Sequence, residues 1–196
     1  MGKIFYIIGQ SSTGKDTLYK EVLKEMNLNL CTMIPYTTRP IRKGEVPGVE
    51  YHFVDDDRFD ELRQSGKVIE SRAYNTVHGV WQYFTVYDDD FSKYDNNYLM
   101  IGVLESYIKT AEYYGSENVV PIYIHVEDGE RLQRALNREK KQANPRYKEM
   151  CRRYIADLED FSEGKLLKAG ITKKFENNNL DECVGTIVDY IKKEIE

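Results

Sequence analysis

Gly9, Gly14 and Lys15 stand in the spacing Gly-x4-Gly-Lys within Gly9-Gln10-Ser11-Ser12-Thr13-Gly14-Lys15, and the run continues into Asp16 and Thr17. Glycines let a backbone curl until its N–H groups converge on phosphate oxygens, and a helix starting at the same point adds its positive end. The expected ligand is a polyphosphate cradled by Gly9, Ser11, Ser12, Thr13 and Gly14, with Lys15 reaching the β- and γ-phosphates as a point charge. The position after such a lysine usually carries Ser or Thr for Mg²⁺, whereas here it is Asp16, followed by Thr17. Two readings stay open: Asp16 approaches a metal through water, or the polyphosphate itself holds most of the ion.

A second cluster is Arg39, Arg42 and Tyr51. Each arginine can give forked hydrogen bonds to phosphate oxygens and the tyrosine hydroxyl adds a donor, which together suit a monophosphate. A third is the basic stretch Arg131, Arg134, Arg138, Lys140, Lys141, Arg146, Lys148, Arg152 and Arg153, broken at Pro145. Transfer of a phosphoryl group needs cations around it and water kept out, and a basic helical lid supplies both.

The elements that must position these groups follow from periodicity. Apolar runs at Ile4–Ile8, Tyr98–Val103 and Pro121–Val126 read as buried strands. Each precedes a helical pattern: Lys15–Met26 with Leu18, Val22 and Leu23 on one face, Glu105–Tyr114, and a longer pair between Glu130 and Leu167. Strands alternating with helices at this spacing predict βαβ units on a parallel sheet. Tyr36–Trp81 breaks the rhythm with short alternating segments, prolines and glycine turns, and reads as an inserted, partly β subdomain. Asp55-Asp56-Asp57 and Asp88-Asp89-Asp90 read as loops or helix N-termini. His52 and His125 are expected to be structural, and Trp81, Tyr83 and Phe84 to pack rather than stack a base.

Composition narrows the class. With 196 residues, 41% hydrophobic and 31% charged, the chain fits one domain with a sizeable core and a polar surface, not a disordered segment. Its apolar runs are far shorter than the roughly 20 residues that cross a bilayer. A net charge of -5, from 28 Lys and Arg against 33 Asp and Glu, argues against nucleic acid as a partner. Three scattered cysteines, Cys31, Cys151 and Cys183, suggest neither disulfides nor a zinc site, and no leader pattern opens the chain, so the expected compartment is the cytoplasm.

The segment Tyr36-Thr37-Thr38-Arg39-Pro40-Ile41-Arg42-Lys43-Gly44-Glu45-Val46-Pro47-Gly48-Val49-Glu50-Tyr51-His52-Phe53-Val54 closely resembles the one that opens the GMP-binding subdomain of the guanylate kinase family. The resemblance extends to Val68-Ile69-Glu70 and the basic lid. It implies an α/β fold: a P-loop NTPase-type parallel sheet flanked by helices (1–34, 82–130 and 154–196), an inserted mixed α/β acceptor-binding subdomain (35–81) and a helical lid (131–153). The implied reaction is ATP + GMP giving ADP + GDP with Mg²⁺. By the same resemblance, Arg39, Arg42 and Tyr51 hold the acceptor phosphate, His78 adds a donor, and Glu70 accepts from guanine N1 and the 2-amino group. Arg134 joins the ATP site, and Arg138 and Arg152 act with Lys15 and Arg39 in transfer, Arg153 competing for the place of Arg152.

Several family positions are filled differently. Pro35 replaces a serine, Val80 a hydroxyl residue and His78 a tyrosine, while Met100 and Gly102 stand where two aspartates are common, leaving Glu105 as the nearest substitute carboxylate. Pro35, Val80, Met100 and Gly102 each remove a polar contact to guanine or metal while the phosphate clamp stays. A kinase of another phosphorylated acceptor (another nucleotide or a ribose phosphate) therefore remains an alternative, and a non-catalytic binding module of the same fold is a second.

Overall fold

The structure is a computed structural model that describes residues 2–76, 79–87 and 96–195. His78 and the run Asp88-Asp89-Asp90 lie outside the described residues. Strand β1 (Ile4–Gly9) is buried along its whole length. It is the middle of an all-parallel sheet ordered β2 (Leu30–Thr32), β7 (Asn97–Gly102), β1, β8 (Val119–His125), β9 (Lys174–Glu176). Both faces of such a sheet are covered, which is why β1 reads as a continuous apolar run rather than an alternation.

The two faces build two cores. Phe5 and Ile7 pack with Leu18 and Val22 of α1 (Lys15–Leu23) and with Ile187 and Ile191 of α7 (Leu180–Ile195). Ile4, Tyr6 and Ile8 pack with Leu104 and Tyr107 of α3 (Leu104–Tyr114), and with Phe161 and Leu166. The first helix is shorter than its apolar pattern predicts. It stops at Leu23 and tightens into a 3₁₀ turn over Met26–Leu28, because Leu28 must enter the core while Met26 stays 92% exposed.

A second sheet, ordered β4 (His52–Phe53), β3 (Tyr36–Thr37), β6 (Gly79–Val86), β5 (Val68–Thr76), lies in the segment that breaks the βαβ rhythm. Strand β6 carries it to Val86, beyond residue 81. Helix α2 (Asp56–Gln64) closes this sheet with Phe59 and Leu62 against Phe84. It starts where the acidic run stands: Asp55 caps it by accepting from the Arg58 N–H, and Asp56 and Asp57 complement the first turn.

The basic stretch forms α4 (Asp128–Lys140) and α5 (Tyr147–Asp160), parted around Pro145. The expected pair is followed by a third short helix, α6 (Glu163–Lys168), because Phe161 turns inward to stack on Tyr123 and interrupts the run. His52 stacks on Tyr36, and His125 meets Glu176 on the neighbouring strand. Among the described residues, no helix is long and apolar enough to cross a membrane.

Candidate functional site

The loop after β1 sits at the carboxyl end of the sheet's central strand, where open parallel sheets bind ligands. Gly9 leaves no room for a side chain: a Cβ there would stand 2.8 Å from the Ile124 carbonyl. Gly14 is left-handed, with φ of 83°, and begins α1; a Cβ there would meet Asn177 Nδ2 at 2.6 Å. Ser12 is also left-handed, with φ of 69°, and its hydroxyl is buried with no partner. Thr13 fixes the curl by donating from Oγ1 to the Gln10 carbonyl at 2.9 Å, and Asn177 Nδ2 donates to the Thr13 carbonyl at 2.7 Å. The N–H groups of Ser12, Gly14, Lys15 and Asp16 find no acceptor among the described residues. Four convergent free donors at a helix start form an anion nest.

Burial presses the Lys15 ammonium below the ordinary lysine pKa. Asp16 and Asp157 oppose the shift, while the charges of Arg153 and Arg138 add to it. Those two arginines therefore lie within electrostatic reach of Lys15. Arg153 Nη2 donates to Ser11 Oγ at 3.1 Å, while Arg152, one residue earlier, turns away to pair with Glu149 at 2.7 Å. Of the two competing arginines, Arg153 is the one brought to the loop. Arg134 donates from Nη2 to the Asn177 carbonyl at 3.0 Å and so braces the residue that braces Thr13.

Asp157 is a site residue that the sequence did not reveal. From α5 its Oδ2 accepts the Ser11 N–H at 2.7 Å, placing a carboxylate against one of the loop's own amides. Behind it Arg131, with no exposed surface, lies 3.8 Å from Oδ2 and 3.0 Å from Asp128, and its guanidinium packs over the Tyr154 ring.

The cluster of Arg39, Arg42 and Tyr51 is partly preassembled. Arg39 is 3% exposed, and its fork is taken by Glu45 at 2.7 and 2.6 Å, with Tyr51 and Phe53 stacked against it. The Arg39 Nε is buried without a partner. Arg42 is exposed with its guanidinium unpaired among the described residues, and its backbone N–H is tied to Glu45. Burial, with Tyr83 beside it, pushes the Tyr51 hydroxyl up to about 12, which keeps it a proton donor. Lys20 of α1, the helix that leaves the loop, pairs at 2.9 Å with Glu50, the residue before Tyr51, so the two segments adjoin.

The remaining expected contacts fall unevenly. Glu70 has no exposed side-chain surface and is paired with Arg72. Val80 is 49% exposed. Met100 is fully buried in the core, and Gly102 is filled from outside, since a Cβ there would stand 2.6 Å from both Tyr6 Oη and Ser106 Oγ. Glu105 points outward onto Lys109 at 2.9 Å and is not brought to the loop. Asp16 and Thr17 are exposed on the first turn of α1, and no cluster of three or more metal-ligating side chains occurs among the described residues.

Solved structures share this fold. The crystal structure of guanylate kinase from Anaplasma phagocytophilum superposes with a TM-score of 0.72, covering 99% of this chain and 86% of that one at 22% identity. The chain has the guanylate kinase fold. In sequence, residues 1–89 match the family model described as guanylate kinase. The guanylate kinase of Mycobacterium tuberculosis is 38% identical over 79 residues, 40% of this chain and 36% of that protein. That of Rickettsia prowazekii is 42% identical over 79 residues, 40% of each chain. The matched stretch thus spans well under half the length of these relatives. The family-model match covers residues 1–89, whereas the fold match covers 99% of the chain and so takes in Met100, Gly102 and the arginines of α4 and α5.

Proposed function

We propose that the protein is an ATP-dependent nucleoside monophosphate kinase that phosphorylates GMP to GDP. The observation that carries the reading is the free amide nest with Lys15, opening toward a clamp of Arg39, Arg42 and Tyr51. An ionised phosphate acceptor needs no general base, so catalysis consists of alignment and charge neutralisation. In this reading the amides of Ser12 to Asp16 and the Lys15 ammonium hold the donor's β- and γ-phosphates. Arg42 and Tyr51 take the acceptor phosphate, and Arg39, locked by Glu45, supplies the wall behind them. Arg138 and Arg153 face the phosphoryl group in flight, with Arg153 in the role that the sequence also offered to Arg152.

Mg²⁺ bound with ATP would neutralise the β- and γ-oxygens. The exposed carboxylate of Asp16 and hydroxyl of Thr17 fit a metal carried mainly by the nucleotide rather than by a protein cage. The division into core, acceptor-binding insertion and lid gives each phosphate its own wall, and three unpaired cysteines support a cytoplasmic setting. A second reading, a different phosphorylated acceptor, is favoured by the blocked space at Gly102 and the enclosed carboxylate of Glu70. ADP formation from ATP with GMP, dGMP, AMP, CMP and UMP offered singly tests both. GMP-dependent turnover that Lys15→Met lowers by at least about 100-fold supports the first reading. ATP binding without turnover on any of the five supports the second.

A further inference from the structure

Resting on that reading, we propose that Arg72, not Glu70, meets the acceptor's base, and that it reads the O6 and N7 edge of a 6-oxopurine. Glu70 is sealed: its side chain has no exposed surface, Oε1 accepts from Thr85 Oγ1 at 2.9 Å and Arg72 Nη2 at 3.3 Å, and Oε2 accepts from Arg72 Nε at 3.1 Å. The guanidinium of Arg72 caps it, and the Arg72 side chain as a whole is 11% exposed. Of the five N–H groups of an arginine, Glu70 takes two, and nothing among the described residues accepts from Nη1. Arg72 stands opposite Tyr83 in the β5–β6 register, and the Tyr83 ring lies 5.7 Å from the Tyr51 ring, which ties Arg72 to the acceptor clamp.

The surface presented to a base is therefore a rigid pair of donors, with the carboxylate behind it acting as a positioning residue. A guanidinium fork matches two acceptors side by side, which guanine and hypoxanthine both offer at O6 and N7; adenine replaces the first with an amine donor. A pocket of this kind reads neither N1–H nor the 2-amino group. GMP and IMP should then be nearly equivalent acceptors, unlike the outcome expected if Glu70 touched the base.

The test is kcat/KM for GMP, IMP, AMP and 7-deaza-GMP. The wild-type protein should use IMP within about 5-fold of GMP, and lose roughly 10- to 100-fold on 7-deaza-GMP, which lacks N7, and on AMP. Arg72→Lys, which keeps the charge beside Glu70 but loses the fork, should raise KM for GMP and IMP by a similar factor and leave KM for ATP unchanged. Glu70→Gln should shift the same acceptor KM values less. A preference for GMP over IMP above about 50-fold with 7-deaza-GMP tolerated overturns the inference while leaving the kinase reading intact. An equal loss by Arg72→Lys on every acceptor and on ATP also overturns it. Absence of turnover on all four overturns both.

Discussion

Replacing Asp157 by Asn should weaken the fold and tighten ATP binding at once. The Asp157 carboxylate accepts the Ser11 N–H at 2.7 Å, at the mouth of the amide nest. A phosphate entering the nest competes for that donor and meets a like charge. A hydrogen bond with a charged partner contributes about 1.5–3 kcal/mol and a neutral one about 0.5–1.5, so the amide substitution weakens the competing contact by about 1 kcal/mol. That corresponds to an apparent Kd for ATP lower by about fivefold. The same substitution removes one of two carboxylates near the buried Arg131, leaving Asp128 at 3.0 Å. Removing all compensation from a buried charge costs about 3–5 kcal/mol, and with Asp128 retained about 1–2 kcal/mol is expected. At about 2–4 °C per kcal/mol for a chain of this size, Tm should fall by roughly 2–8 °C. Calorimetric titration with a non-hydrolysable ATP analogue and thermal unfolding without nucleotide give the two readouts. If Asp157 only braced the structure, both would worsen together. ATP affinity unchanged or weakened in Asp157→Asn would refute the argument.

Two further outcomes follow from the same geometry. Gly102→Asp should not restore a metal or base contact but destabilise by about 2–4 kcal/mol, from overpacking against Tyr6 and Ser106 and loss of their 2.9 Å hydrogen bond; urea unfolding of the variant with wild-type stability would disprove it. Because burial lowers the Lys15 pKa, the folded protein binds fewer protons than the unfolded chain between that lowered value and 10.5. The buried charge therefore costs stability below the folded pKa and is relieved as pH rises through that window. Lys15→Met should raise Tm at neutral pH while abolishing turnover, and the wild-type KM for ATP should climb on the alkaline side before 10.5 is reached, which steady-state kinetics across pH would check.

The parts of the site that were legible in the sequence are those built from consecutive residues. The loop from Gly9 to Lys15 needs only a strand before it and a helix after it, and its spacing alone fixes where the amides point. Tyr51 and Arg42 belong to one short segment and were legible for the same reason. Contacts across the sheet were not. Asp157 is 146 positions from Ser11, and which of Arg152 and Arg153 reaches the loop depends on the rotation of α5, set by how that helix packs on α4. The early end of α1 and the restart at α6 share one cause, in that Leu28 and Phe161 are drawn into the core and override helical pattern. The pairing of Glu70 with Arg72 is of the legible kind, since residues two apart on a strand share a face and the charges are opposite.

The charges of the site divide in a way that bears on how the reaction is organised. Arg39, Arg72, Arg134 and Arg152 each have a carboxylate partner, from Glu45, Glu70, Glu130 and Glu149. Lys15, Arg42, Arg138 and Arg153 have none within ion-pair distance among the described residues. A paired cation is held in one geometry and gives a ligand shape and direction, because its charge is already matched. An unpaired cation keeps its charge for an incoming phosphate and gives affinity. In a chain of net charge -5, the unpaired cations of the loop, of Arg42 and of the α4 and α5 helices would draw an anion toward the amide nest. Asp157 then has a definite place in this division. Among the described residues it is the carboxylate that accepts an amide of the loop, and its displacement by a phosphate would hand the Ser11 amide to the donor as Arg153, on the same helix, closes over it.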